Sequence, residues 1–203
     1  DRAMQASLLK QRQALLNVHP VVSGEVRTGA QVYDGDKGPG LDIYNKGSLI
    51  AHTLRLLIGD EAFFTAVRRL VYGRPDPRPG NFGPRFASTG DFLALVNDES
   101  GRDLTWFFRA YLYQAGLPDL RQTRSGDRLE LEWVTGDGGA FPMPIEIEID
   151  GTLTTLPMTG NHGSLTVPAG AHVLIDPADR VLRRLDHIER WKAREAADTA
   201  PVN

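Results

Sequence analysis

The residues able to do chemistry in this chain are few. Its 203 positions include five histidines and no cysteine, which removes disulfides, thiolate nucleophiles and cysteine-ligated metal. A zinc site of the H-E-x-x-H kind needs two imidazoles one helical turn apart, with a glutamate between them as general base. None of His19, His52, His162, His172 and His187 has a histidine four positions on or a glutamate next to it. All five read as surface or hydrogen-bonded structural histidines, and only His162 and His172, in or near strands, have a route to meet. No self-contained metal site follows, and no G-x-S-x-G elbow or Walker loop is present. Glu146 and Glu148 share one face of a strand and read as a solvated edge that discourages aggregation. That leaves Tyr44, in Tyr44-Asn45-Lys46-Gly47. On spacing alone, a tyrosine in the first turn of an apolar helix reads as packing with its hydroxyl satisfied.

The elements that must position Tyr44 come next. Residues 3–16 read as a helix with Met4, Leu8, Leu15 and Leu16 on one side and Lys10, Gln11 and Arg12 interleaved. Asn17 to Pro20 ends it, because the residue before proline is pushed out of the helical region. From Val21 to Gly40 the chain reads as an irregular connector with turns at Asp34-Gly35 and Gly38-Pro39-Gly40. A helix then starts near Asp42, the expected N-cap, with Ile43, Ile50, Leu54, Leu57 and Ile58 as its apolar stripe. Gly47 removes side-chain bulk one turn after Tyr44, so a close neighbour is expected there. Gly59 stops this helix and Asp60 starts another, with Phe63, Phe64, Val67, Leu70 and Val71 inward. Residues 73–86, rich in Pro and Gly, read as a long ordered loop. Ser88 with Asp91 makes a capping box for a fourth helix. Gly101 closes that helix, and Asp103 caps a fifth that is apolar on almost every side and so is expected to lie between layers.

Past Pro118 the pattern changes to strands. Leu129, Leu131 and Trp133 alternate with Glu130 and Glu132, and I-E-I-E-I, Asp150-Gly151 and T-L-T-T-L spell a hairpin with a two-residue turn. Short strands at 165–167 and 172–175 complete the set expected of a small β-sandwich. A polar helix over 184–197, anchored by Ile188 and Trp191, precedes a tail expected to fray. The fold class is therefore α+β in two parts: an α-helical part over 1–118 and a small antiparallel β-sandwich over 119–185. Residues 186–203 add a terminal helix and tail.

At 41% hydrophobic and 24% charged, the chain has the composition of a globular protein with a real core. A net charge of -3 leaves no electrostatic footprint for nucleic acid, and no apolar run is long enough for a membrane helix.

Several motifs fall in a recognisable order. His19-Pro20-Val21 follows a helix, and then come Tyr44-Asn45-Lys46-Gly47, an apolar helix, and Gly59-Asp60-Glu61 with Phe63. Thr89-Gly90-Asp91-Phe92, Ser100-Gly101, Asp103-Leu104 with Trp106-Phe107-Phe108, and Gly116-Leu117-Pro118 follow. The ordered set, over about residues 10 to 180, resembles the C-terminal part of the aminopeptidase N family of gluzincin zinc metallopeptidases. Each motif is loose alone, and the specificity lies in their order. The resemblance implies the end of a thermolysin-like catalytic domain followed by a small β-sandwich. It also implies removal of N-terminal residues from a peptide substrate, in which a zinc-bound water, deprotonated by glutamate, attacks the scissile carbonyl. In that family the tyrosine matching Tyr44 donates a hydrogen bond to the resulting oxyanion.

The departures matter equally. H-E-x-x-H, its downstream glutamate ligand and the loop that holds the substrate amine precede the tyrosine in that family, and only 43 residues precede Tyr44 here. The zinc ligands and general base are thus expected upstream of Asp1, and the fragment alone is expected to bind no catalytic zinc and to be inactive. Three alternatives stay open: a non-catalytic scaffold derived from the same fold, an independent interaction module whose sandwich binds a protein or sugar, and the epoxide-opening activity of one branch of the family. The residues upstream of Asp1 decide the first. Compartment and oligomeric state are not legible.

Overall fold

Helices come first in this chain and strands second, with one helix returning at the end. The computed structural model describes residues 2–198. α1 (Arg2–Ala14) gives way to Asn17, which takes a left-handed φ of 55°. The connector that follows is not wholly irregular. Thr28 and Gln31 form a reciprocal capping box over a five-residue helix, α2 (Gly29–Tyr33). The chain then folds back so that the Gly40 N–H donates to the Val32 carbonyl at 2.9 Å. Gly38 sits where an added Cβ would lie 2.1 Å from the Gln31 carbonyl oxygen, so only glycine fits.

α3 (Asp42–Ile58) and α4 (Asp60–Tyr72) are separated by Gly59 at φ 85°, a conformation glycine adopts without penalty. Asp42 is not the cap of α3. Leu41 holds that position, and the buried Asp42 carboxylate accepts from the Leu16 and Asn17 N–H groups at 3.0 and 2.8 Å, tying the end of α1 to the start of α3. The buried side of α3 is Leu49, Ile50, Thr53 and Leu54, while Ile43 is only half-buried. On α4 the buried residue is Ala66, whereas Phe64 and Val71 of the expected inner face are exposed. α5 (Thr89–Ser100) starts with the Ser88–Asp91 capping box and ends at Gly101. α6 (Thr105–Leu112) follows Asp103, whose carboxylate accepts from the Thr105 N–H at 2.9 Å.

The strands form two three-stranded antiparallel sheets. One has the order β1 (Asp119–Ser125), β2 (Arg128–Val134), β5 (His162–Thr166); the other has β4 (Thr152–Leu156), β3 (Ile145–Ile149), β6 (Val173–Ile175). The mixed α+β class is as expected. The hairpin turn has Asp150 and Gly151 at φ 48° and 82°, the double positive φ that a two-residue turn with the right twist requires. Two strand expectations are corrected. β1 was not anticipated, because D-L-R-Q-T-R-S lacks an apolar alternation. Glu146 and Glu148 lie on β3, the central strand of its sheet, and both are half-buried rather than on an open edge.

α6 lies between the helices and the sheets, as its all-round apolarity requires. Phe107, Phe108, Ala110 and Tyr111 are all buried. Phe141, from the connection between β2 and β3, joins the two regions: its ring lies 5.1 Å from Trp106, 5.6 Å from Tyr111 and 5.3 Å from Trp133. All three are edge-on contacts of the kind favoured by aromatic quadrupoles.

A second junction is polar. After β6 the chain runs without regular structure through residues 176–185. The Arg12 guanidinium donates to the Asp179 carbonyl at 2.6 Å and the Val181 carbonyl at 3.3 Å. The Thr53 hydroxyl accepts from the Leu182 N–H at 3.2 Å, and the buried Tyr111 hydroxyl donates to the Leu182 carbonyl at 2.6 Å. Buried backbone without a ladder needs side-chain partners, and α1, α3 and α6 each supply one. Arg12 is therefore buried, not on a solvated face. α7 (Asp186–Asp198) closes the chain on α1 through Lys192, which donates to the Leu15 carbonyl at 2.8 Å. Ile188 anchors this helix, whereas Trp191 remains 39% exposed. The expected frayed tail lies outside the described residues.

Candidate active site

The first turn of α3 carries Tyr44 outward, with its N–H donating to the Leu41 carbonyl at 3.0 Å. Its side chain is 58% exposed, so it is not the core residue that spacing alone suggests. Its partner is Tyr33, the last residue of α2. The two hydroxyls are 2.7 Å apart, and the rings stack with centroids 6.2 Å apart and planes inclined by 21°. The hydrogen bond to Tyr33, then the charge Tyr33 would carry, and last a little desolvation hold the Tyr44 phenol above its ordinary range. Tyr44 thus holds its phenol proton more firmly than a free tyrosine, on a side chain that is largely exposed.

The rest of the Y-x-K-G motif fixes this arrangement. Lys46 is fully buried, and its ammonium donates to the carbonyls of Gln114 and Ala115 at 3.1 and 2.6 Å, just past the end of α6. Cations are favoured at that end of a helix, where carbonyls lack intrahelical partners. Burial pushes the Lys46 ammonium down to about 8, and Asp42 pulls it partly back. Asp42 and Lys46, one turn apart, so tie the start of α3 to the ends of two other helices.

Gly47 differs from expectation: nothing lies within 4 Å of where its Cβ would be. It lines an apolar groove of about 340 Å³ with Val21, Ala51, Leu54, Phe92 and Phe108. Tyr44, Gly47 and Ala51 share one side of α3 by their i, i+3, i+7 spacing.

The other candidate groups do not assemble. His19 Nε2 lies 3.0 Å from the Asp36 carbonyl oxygen, and His52 is held below its ordinary range by burial and then by Arg12, Arg55 and Arg180. His162 opens β5, His172 precedes β6 in the other sheet, and His187 sits in the first turn of α7. Glu146 accepts from Arg180 at 2.5 Å. Among the described residues no three His, Asp or Glu side chains gather where they could hold a metal ion. Tyr33 is the residue sequence reasoning missed. The capping box Thr28-x-x-Gln31 would have located its helix, though not its contact with Tyr44.

No protein-family model matches this chain, and no curated protein matches it. Among solved structures, aminopeptidase A of Legionella pneumophila, in complex with aspartic acid, is similar with a TM-score of 0.54 and 17% identity. The match covers 84% of this chain and 20% of that one, so the chain spans about a fifth of that protein's length. What the two share over that stretch is the fold.

Proposed function

We propose that this chain forms the Tyr44-bearing part of a zinc-dependent aminopeptidase, which hydrolyses N-terminal residues from peptides. The zinc ligands and general base come, on this reading, from residues outside these 203. The observation that carries it is the Tyr44 phenol: exposed, raised above its ordinary range beside a second hydroxyl, and held at a helix start anchored by the buried Asp42 and Lys46. The shared fold with an aminopeptidase supports it.

Attack on a peptide carbonyl makes a tetrahedral oxyanion, and a fixed donor aimed at that oxygen lowers the barrier because the charge develops only there. Tyr44 is the donor this chain supplies. Asp42 and Lys46 hold its backbone in place without touching the reaction. Loss of one oxyanion donor costs roughly 100- to 1,000-fold in kcat. Tyr44→Phe in the complete enzyme is expected to show that loss with its circular dichroism unchanged, and near-parental turnover of aminoacyl fluorophores would sink the assignment. The isolated 203-residue chain is expected to hydrolyse none of them and to retain no stoichiometric zinc by elemental analysis. Hydrolysis with bound zinc would overturn that part.

A further inference from the structure

We infer that Tyr33 is a positioning residue for Tyr44, its hydroxyl donating to the Tyr44 oxygen while Tyr44 donates to the oxyanion. This rests on the reading of Tyr44 given above. Three observations carry it. The hydroxyls are 2.7 Å apart and the rings stack, so the Tyr44 side chain is held by a polar and an apolar contact at once. α2 has a reciprocal capping box yet buries none of its residues, so its order does not serve the core. The fold-back from Gly38 to Gly40 onto the carbonyls of α2 fixes the height at which Tyr33 meets Tyr44.

An exposed tyrosine on its own has a hydroxyl that rotates freely and exchanges partners with water. With Tyr33 beside it, one lone pair of the Tyr44 oxygen is occupied and its proton is left to point elsewhere. A chain O–H···O–H···O⁻ also polarises each bond in turn, which strengthens the last one. Between turnovers the same pair can reverse, Tyr44 donating to Tyr33, so its proton is retained at alkaline pH. The upward displacement of the Tyr44 phenol agrees with that retention.

Two measurements test this. In the 203-residue chain, tyrosinate absorbance followed against pH should show a late-titrating phenol besides the buried Tyr111, absent in Tyr44→Phe and moved to lower pH in Tyr33→Phe. In the complete enzyme, Tyr33→Phe keeps the ring stack and should lower kcat about 3- to 10-fold, the value of one net hydrogen bond, with KM little changed. The alkaline limb of its pH–rate profile should move to lower pH. A Tyr33→Phe enzyme with parental kcat and profile, beside a crippled Tyr44→Phe, overturns the role of Tyr33 and leaves that of Tyr44 intact. A lowered kcat with an unmoved profile and titration also overturns it, since a structural defect would do the same. An active Tyr44→Phe enzyme removes both roles.

Discussion

Two buried titratable side chains, Lys46 beneath the candidate site and Tyr111 in the core, give the folded state a defined response to alkali. Lys46 is pushed down to about 8, against ~10.4 in an unfolded chain. Between those values the unfolded state binds more protons, so stability rises with pH through that window and the full cost, roughly 3 kcal/mol, is present below it. Tyr111 has the opposite sign. Burial raises its phenol far above the ordinary range, so its contribution is present below pH ~10 and is lost as the unfolded state ionises. Urea midpoints should therefore climb from pH 7 to about 9.5 and fall beyond it. In Lys46→Met the climb should vanish while the fall persists, and a climb surviving in that variant would show that Lys46 is not its source. Tyr44 is visible in the sequence because its neighbours Lys46 and Gly47 travel with it. Tyr33, eleven residues earlier across a connector, carries no comparable mark, because what aligns it is the fold-back of residues 34–40.

At the scale of elements, the helices other than α2 and the Asp150–Gly151 hairpin were legible because their signals are local: capping residues, turn residues and period. Asp42 and Arg12 were misread for the complementary reason. Each looks like a helix-end or surface residue locally, but acts across a junction, Asp42 on the chain after α1 and Arg12 on residues 179–181. β1 was missed because its order comes from pairing with β2 along its whole length, not from burial of its own side chains. The segment 176–185 gave no signal, since nothing in its composition marks it as interior. Its supports are testable one by one. Thr53→Val leaves the Leu182 N–H without its partner, and Tyr111→Phe does the same to the Leu182 carbonyl. Each should cost about 1–3 kcal/mol in chemical denaturation, as expected for a buried polar group left unpaired. The two effects should be non-additive because both act on the backbone of one residue, Leu182. Additive losses would show that the two bonds hold independent structures.

At the scale of the molecule, Phe141 and the 176–185 segment both cross between helices and sheets, so a boundary near residue 118, read from the change of pattern, need not separate two units of stability. We expect one cooperative transition: near-ultraviolet dichroism, dominated by the buried aromatic cluster, and far-ultraviolet helix signal should coincide on heating. Two separated midpoints would favour independent units. The same segment bears on how the protein is made. Arg12 finds its partner 167 residues later, and Thr53 finds Leu182 129 residues later. A ribosome delivers about 5–20 residues per second, so α1 and α3 wait many seconds with those groups unpaired. The helices cannot be finished in the order in which they are synthesised. A nascent chain arrested at residue 175 should remain protease-sensitive throughout its helical part, and one released past residue 185 should gain resistance in α1, α3 and α6 together.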